Sequence, residues 1–291
     1  MRRLSRLVGI AFLALSALGL VAGYGGALHP AGDSLALLRL PLALICALLA
    51  LALRWPRRLV WPVGAVALAS LVGLAMTKLP QPEGEGIVIQ HRNLWVWNPV
   101  SDEMEAELRD SGADVVTLSE VAPRNEALLA RLGDLYPYQH YCPGRWGQAV
   151  LSRFPGTGNT LCSEGRGIAA MQVDGPEGPF WVAGIHLHWP WPHEQADQVE
   201  DLMPYLEQME GPVIVGGDFN MVPWSHAVRR IARATRTARV GPLFPTIYPG
   251  GIPLPIDYIL APGPGTAWRR PQVGSDHFGV QARVSLSEQQ G

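Results

Sequence analysis

Three long apolar stretches near the N-terminus limit the possible folds of this chain most strongly. Residues 7–28 and 59–77 contain no charged side chain, and residues 35–53 contain only Arg39. Each stretch is close to the roughly 20 residues that cross a bilayer as a helix. Hydrophobic residues, 48% of the chain, are therefore concentrated at one end. The sequence predicts a membrane domain of residues 1–78 with three transmembrane helices between residues 7 and 77.

Two alternatives to this membrane domain stay open. The first stretch follows "MRRLSRL", which also resembles the positive start of a signal peptide. Its apolar run is longer than a signal peptide needs, and two more follow, which favours membrane helices. The second stretch is interrupted by Arg39 and Pro41, so a hydrophobic hairpin lying on the membrane is the other alternative.

The basic residues of the membrane domain predict its orientation. They flank the start of the first stretch and fill the gap between the second and third: Arg2, Arg3, Arg6, Arg54, Arg57 and Arg58. Such residues stay in the cytoplasm under the positive-inside rule. Three crossings then place everything after Lys78 outside the cytoplasm.

The rest of the chain has the composition of one acidic soluble domain. Residues 79–86, "LPQPEGEG", form a linker in which Pro and Gly stop any helix. Residues 79–291 contain 15 Arg, no Lys and 24 Asp or Glu, a net charge of −9. This balance argues against a general nucleic-acid binder, which needs clustered cations. It is compatible with a metal site built from carboxylates.

Helix-like and strand-like segments alternate through residues 87–291. Ser101 is expected to cap one helix that ends at Gly112, and Ser225 another that runs to about Arg239. A third is expected over 194–210, with a kink near Pro204. Apolar runs such as "DVVTL", "FWVAGIHL" and "PVIVGG" predict buried strands. This pattern indicates a mixed sheet with helices packed outside it.

Polar side chains repeatedly follow these apolar strands, where a sheet presents functional groups. They are Asn93, Glu120, His186, Asp218, Asn220, Asp257, Asp276 and His277. Carboxylate and amide oxygens are the ligands that Mg²⁺ or Mn²⁺ prefers. A zinc site stays open as an alternative, because His186 and His188 would share one face of a strand.

The motifs around these residues resemble a known family. "GGDFN" at 216–220, "PIDYIL" at 255–260 and "GSDHFG" at 274–279 follow Asn93 and Glu120 in the order found in the endonuclease/exonuclease/phosphatase superfamily. That group includes exonuclease III, deoxyribonucleases and sphingomyelinases. The local pattern is more similar to its membrane-linked bacterial branch. The resemblance implies a catalytic domain over 87–291 with a four-layered α/β sandwich, two mixed β-sheets flanked by helices, preceded by the transmembrane helices.

The resemblance also implies roles. Glu120, Asn93 and Asp276 would be on the metal side, while Asp218 and Asn220 would hold the attacking water and a phosphate oxygen. His277 would be the general base or stabilise the phosphate, oriented by Asp257. His186 would donate a hydrogen bond to the phosphate. The choice between Asp218 and His277 as the base stays open.

The function expected from this set is a membrane-anchored, Mg²⁺- or Mn²⁺-dependent phosphodiesterase of a bacterial inner membrane. Its substrate would be a phosphate ester of a lipid, a small molecule or nucleic acid, and no protein partner is implied. An extracytoplasmic nuclease or a catalytically silent membrane scaffold are the alternatives. Trp95 stands where repair enzymes of the family have an acidic residue, which weighs against DNA repair. Cys142 and Cys162 could pair in an oxidising compartment.

Overall fold

The computed structural model describes residues 2–53, 57–144 and 146–287. Eight α-helices lie in these ranges: α1 Arg2–Ala22, α2 Ala31–Leu37, α3 Arg39–Leu53, α4 Arg57–Met76, α5 Asp102–Asp110, α6 Ala127–Arg131, α7 Gln195–Glu207 and α8 His226–Ala234. They contain twelve β-strands: β1 Ile87–Asn93, β2 Val115–Val121, β3 Tyr138–Cys142, β4 Gly147–Ser152, β5 Gly156–Ser163, β6 Ile168–Gly175, β7 Gly178–His186, β8 Val213–Asp218, β9 Ala238–Arg239, β10 Asp257–Ala261, β11 Gly265–Arg270 and β12 Gly279–Val284.

The strands form two six-stranded mixed sheets, which confirms the predicted α/β sandwich. The first sheet has the order β11-β12-β1-β2-β4-β3, and the second has the order β5-β6-β7-β8-β10-β9. The pairs β1–β2 and β7–β8 are parallel, and the other pairs are antiparallel. Each sheet is antiparallel on both sides of one parallel pair. The carboxyl ends of β1, β2, β7 and β8 carry Asn93, Glu120, His186 and Asp218, while Asp257 begins β10 and His277 lies just before β12.

Three apolar cores separate the layers. One core lies between the sheets and contains inward-facing residues such as Ile89, Ile214 and Ile259. A second packs α5 and α6 against the first sheet, and a third packs α7 and α8 against the second. Residues on one face of a strand recur with period two. The inner face of β1 therefore continues from Ile89 to His91 and Asn93, and the polar site forms at the edge of the inter-sheet core.

The helix boundaries follow the predicted caps, with one correction. Ser101 accepts a hydrogen bond from Met104 N and Ser225 from Val228 N, as N-cap residues do. Helix α8, which Ser225 caps, however ends at Ala234 rather than near Arg239. Arg236 has a left-handed backbone with φ 52°, and the chain then enters β9. Pairing with β10 therefore replaces the last predicted helical turns.

The N-terminal stretches form an apolar helical bundle. Among the described residues only the segment Leu4–Ala22 is, as one helix, long and apolar enough to cross a membrane. Helices α2 and α3 are bent by 69° at their junction, and the apolar part of α4, Val60–Met76, is shorter. The bend falls just before Arg39, within the second apolar stretch of the sequence. By length and composition, the described residues therefore contain one helix that could cross a membrane, or two if α2 and α3 form one bent span.

A disulfide joins the edges of the two sheets. Cys142 ends β3 and Cys162 lies in β5, with a Cα–Cα distance of 5.3 Å and a separation of 20 residues. β3 and β5 are edge strands of different sheets. The bridge therefore closes the open side of the sandwich and ties down the loop that contains Trp146.

Removing this disulfide is expected to destabilise the domain. For a loop of this size the chain-entropy model gives about 3 kcal/mol of unfolding free energy. We expect a Cys142→Ser/Cys162→Ser double variant to unfold at clearly lower urea concentration. Reductant should shift the wild-type protein in the same direction and leave the double variant unchanged. An equal response of both proteins to reductant would contradict this assignment.

Candidate active site

Three site residues form a row across the second sheet. His186 of β7 pairs in register with Asp218 of β8, and Asp218 pairs with Asp257 of β10. Cross-strand neighbours project from the same face. The "GGD" motif supports this row, because a Cβ at Gly216 would overlap the Thr117 hydroxyl of the facing sheet. The small residue allows the two sheets to approach closely beside the site.

The first sheet supplies Asn93 and Glu120. Asn93 ends β1, and Glu120 lies at a bulge in the pairing of β2 with β4. Glu120 has φ 59°, a conformation that costs free energy for a side chain with Cβ and that often marks functional positions. Asn93 Nδ2 donates to Glu120 Oε1 and to Asp218 Oδ2, each at 3.0 Å. Asn93 therefore connects the carboxylates of the two sheets.

Glu120 is held by both of its oxygens. Its Oε2 accepts a hydrogen bond from Val96 N at 2.8 Å. The oxygen of Asn93, as assigned, accepts from Trp95 N at 2.8 Å. Asn93 therefore donates to both carboxylates through its Nδ2. It lies next to Glu120 and Asp218, on the side of the centre where the sequence predicted the metal.

His277 is oriented by a buried chain of polar groups. Its Nδ1 lies 2.8 Å from Asp257 Oδ2, and its Nε2 lies 3.9 Å from Asp218 Oδ2. On the other side of Asp257, His91 Nε2 faces Oδ1 at 3.5 Å, and His91 Nδ1 contacts Thr117 Oγ1 at 3.0 Å. A carboxylate that holds one ring nitrogen fixes the tautomer and the ring orientation. Asp257 therefore directs His277 Nε2 toward Asp218.

The remaining predicted residues lie around this centre. Asn220, with φ 46°, donates from its backbone to Asp218 Oδ1 at 2.9 Å, and its Nδ2 lies 3.3 Å from His186 Nε2. Asp276 is farther out: its Oδ1 is 3.9 Å from His277 Nε2, and 43% of its side chain is exposed. The structure therefore brings seven of the predicted residues into one centre and leaves Asp276 at its rim.

Burial and mutual charge shift the pKa values of the central groups. Burial and then the charge of Asp257 raise the pKa of Asp218 to about 8. Burial alone would lower the pKa of His277, but the carboxylates of Asp257 and Asp218 outweigh it and raise this pKa to about 10. Burial lowers the pKa of His186 to about 4, which leaves a neutral imidazole. Burial alone would raise the pKa of Asp257, but His277 and His91 hold it well below its usual range.

These shifts predict a pH-dependent stability in the absence of metal. Asp218 has a folded pKa above its unfolded value of about 3.9, and His277 has one above about 6.5. Both groups bind protons more tightly in the folded state, so their favourable contribution is lost as pH rises toward 8 and 10. We expect the melting temperature in chelator to fall between pH 6.5 and 9, and to fall less in Asp218→Asn. The exposed Asp174→Asn serves as the control, and a flat wild-type profile would contradict the shifts.

Two groups of side chains have the chemistry and spacing to hold a cation. They are Glu120 with His186 and Asp218, and Asp218 with Asp257 and His277, with ligand atoms within 4.8 Å of one another in each group. Neighbouring carboxylates are stabilised by a cation, and burial together with the charge of Asp257 raises the pKa of Asp218. The donors are mostly hard oxygens, which fit Mg²⁺ or Mn²⁺. Glu120, His186 and Asp218 form the group that opens to the pocket.

The pocket over this centre has a volume of about 710 Å³. Four tryptophans line it: Trp95, Trp97, Trp146 and Trp189. Its described lining also includes Glu194 and Asp276 but no Lys or Arg. The opening is therefore aromatic and acidic rather than basic.

Sequence reasoning missed three contributors to the site. His91 could have been found, because it precedes Asn93 by two residues and so shares its strand face. Trp146 follows no strand, yet its ring lies 6.1 Å from that of His186. Gln198 of α7 donates to His186 O at 2.9 Å, a contact that only the tertiary packing of α7 reveals.

Comparison with known proteins identifies the family. The sequence profile of the Endonuclease/Exonuclease/phosphatase family matches residues 93–277. The chain therefore belongs to this family, whose members hydrolyse phosphate esters with the help of metal ions. The match begins at Asn93 and ends at His277, so it spans the whole centre described above. No curated protein matches the chain.

Solved structures share the fold at low sequence identity. A mutant of beta toxin from Staphylococcus aureus with bound magnesium ions is 15% identical, with a TM-score of 0.52, covering 69% of this chain and 100% of that one. A truncated TDP2 from Caenorhabditis elegans is 16% identical, also with a TM-score of 0.52, covering 69% of this chain and 97% of that one. These matches support the sandwich architecture alone.

Proposed function

We propose that this protein is a membrane-anchored, Mg²⁺- or Mn²⁺-dependent hydrolase of phosphate esters, acting as a phosphodiesterase by in-line attack of water. The observation that carries the proposal is the convergence of Glu120, His186, Asp218 and the Asp257–His277 pair from both sheets. Carboxylates beside an oriented imidazole suit metal-assisted phosphoryl chemistry. Glu120 and Asp218 both line the open pocket, where a cation between them would offset their negative charges.

The metal would be held by Glu120 and Asp218, with His186 at its side and Asn93 orienting both carboxylates. When bound, it would supply positive charge that stabilises the phosphate oxygens during displacement. Mg²⁺ and Mn²⁺ share these ligand preferences. Either ion would suit these ligands, and the magnesium ions bound to the similarly folded beta toxin mutant support Mg²⁺.

The protein residues would position the water and the phosphate. Asp218 and Asn220 border the position of the attacking water, and the Asp218 carboxylate would accept its proton. His277, held protonated by Asp257, would donate from Nε2 to a phosphate oxygen. His186 remains neutral and would donate to the phosphate or bind the metal. Asp276 at the rim would adjust the local charge.

A substrate panel on the full chain in detergent tests the hydrolase proposal. It contains bis-p-nitrophenyl phosphate, p-nitrophenyl phosphate, DNA, RNA and phospholipids, each with Mg²⁺, with Mn²⁺ and with chelator. We expect metal-dependent turnover with the diester preferred. Preference for DNA or RNA would favour the nuclease alternative, although the described pocket lining contains no Lys or Arg that could hold a nucleic-acid backbone. No turnover of any substrate would favour a silent scaffold.

The membrane anchor is supported by the surface of the N-terminal bundle. Its small core contains Leu13, Ala43 and Ala67, whereas large apolar side chains such as Leu7, Leu15 and others of α1, α3 and α4 point outward and are exposed. A helical bundle with apolar residues outside suits lipid rather than water. We therefore propose a multi-pass anchor formed by α1, the bent pair α2–α3, and α4.

The disulfide supports a catalytic domain outside the cytoplasm. Disulfides persist in oxidising compartments and are rare in a reducing cytoplasm. Three crossings, with basic residues retained inside, give the same side. A reporter fused after Lys78 should therefore be active only in its exported form; a cytoplasmic signal would show that the number of crossings is even and would overturn the exported domain.

A further inference from the structure

The loop and short helix between α1 and α3 dock directly on the catalytic domain. Asp33 accepts hydrogen bonds from the backbone N–H of His226 at 2.7 Å and of Ala227 at 2.9 Å, the first residues of α8. Both N–H groups lie in the first turn, where no helical carbonyl is available, and a carboxylate there is favoured by the helix dipole. Trp224 also donates from Nε1 to Ala36 O at 3.1 Å. We call residues 24–36 the docking segment.

The docking segment fits its site closely. A Cβ at Gly26 would overlap the Asp33 carboxylate and lie 2.9 Å from His226 Cβ. Gly32 packs against the backbone of Gly25 and Gly26, where a Cβ would come within 2.6 Å of Gly25 C. Gly26 therefore allows close contact with α8, and Gly32 allows the docking segment to fold tightly on itself. The interface is a specific packed contact between the membrane bundle and the catalytic domain.

The docking segment also contacts one wall of the pocket. Ser34 Oγ donates to Trp191 O at 2.6 Å, and the His29 ring lies 6.1 Å from the Trp191 ring. Trp191 belongs to the loop 189–194, of which Trp189, Pro192, His193 and Glu194 line the pocket. The same wall that borders the reacting centre therefore rests on the segment that joins the apolar helices.

The exposed side chains around this contact are those of a membrane interface. Leu28 is 92% exposed and Trp191 49% exposed. Leu28 belongs to the docking segment, and Trp191 contacts that segment through Ser34 and His29. Tryptophan is enriched at the level of lipid headgroups, because its ring is apolar and its N–H is polar. If α1 and α3 are embedded, the loop 189–194 lies at that level. The pocket then opens beside the bilayer surface.

We propose that the docking segment holds the pocket mouth at the bilayer surface, so that the enzyme hydrolyses a phosphate ester carried by a lipid of its own membrane. This inference rests on the proposed function and names its substrate class. A lipid-anchored ester would reach the centre along the loop 189–194, of which Trp189 lines the pocket and Trp191 contacts the docking segment. The acidic, tryptophan-lined pocket suits a headgroup without excess negative charge, since Glu194 and Asp276 would repel one.

The test compares a diester that is anchored in the bilayer with a matched diester that is free in solution. The full chain is reconstituted in phosphatidylcholine vesicles and given p-nitrophenyl phosphodiesters that differ only in the second alcohol, hexadecyl in the bilayer or methyl in solution. We expect kcat/KM for the hexadecyl diester to be at least tenfold higher. Asp33→Asn and Gly26→Leu should each remove most of this advantage and leave methyl diester hydrolysis within twofold. Asp110→Asn, an exposed change on α5, should alter neither.

The outcomes separate the two proposals. Metal-dependent hydrolysis of the methyl diester with no advantage for the hexadecyl diester would overturn the lipid inference and leave the hydrolase proposal standing. The lipid inference would also be overturned if the advantage of the hexadecyl diester persisted unchanged in both docking variants. The docking segment would then not determine how a lipid-anchored ester reaches the pocket. No metal-dependent hydrolysis of either diester would overturn the hydrolase proposal itself.

Discussion

Replacing Glu120 by Gln is expected to remove nearly all metal-dependent turnover. Gln keeps the shape of the side chain and can still accept from Val96 N, but it loses the negative charge that faces His186 and Asp218. If the metal supplies about 4 kcal/mol of stabilisation to the reacting phosphate, kcat/KM falls about 10³-fold. Titration calorimetry with Mg²⁺ or Mn²⁺ should show much weaker binding in the same variant.

The control for this change is Glu126→Gln. Glu126 is exposed on the segment just before α6, so the variant loses the same charge away from the centre. It should bind metal and turn over substrate like the wild-type protein. Wild-type metal affinity in Glu120→Gln would exclude Glu120 as a ligand, and equal losses in both variants would indicate a general effect of charge.

The second large effect is expected for His277→Asn. The variant removes the imidazole that Asp257 orients toward Asp218, and with it either proton transfer or stabilisation of the phosphate. Such a group typically contributes about 10²–10⁴-fold to the rate. We expect this loss mainly in kcat, with metal binding largely retained, because the Glu120 group is untouched. Single-turnover rates with bis-p-nitrophenyl phosphate measure it.

His140→Asn is the matched control for this variant. His140 lies on β3 and contacts Leu161 O at 3.1 Å, outside the pocket lining. Its replacement should leave kcat within about twofold. If His277→Asn instead keeps a near wild-type kcat, the proton and the phosphate must be handled by other groups, and Asp218 with His186 would be the next pair to test.

Much of the catalytic domain could be predicted because its signals are local. Ser101 and Ser225 cap their helices through contacts three residues along the chain, and apolar runs followed by Asp218 or Glu120 mark strand ends. The order of these residues along the chain predicted the two-sheet sandwich through family resemblance. Local pattern and resemblance together therefore predicted which residues meet, although not at what distance.

The unpredicted features depend on contacts between distant parts of the chain. The left-handed backbone at Glu120 arises from a bulge in strand pairing, which no local sequence preference specifies. The cap that Asp33 places on α8 joins residues 193 positions apart. A sequence pattern could identify Asp33 only as one acid in a basic region. Its role depends on how the helical bundle packs, which is a tertiary property.

The register of β7, β8 and β10 also has a consequence for biogenesis. His186, Asp218 and Asp257 share one row only when both pairings are correct, and a shift by one residue would turn Asp218 to the opposite face of the sheet. The centre also requires Asn93 and Glu120, which the first sheet supplies only when it packs against the second. A chain in which only one sheet has paired lacks part of the centre. The proposed hydrolase is therefore expected to become active only after both sheets have paired and packed on each other, so that folding itself would be the activation step.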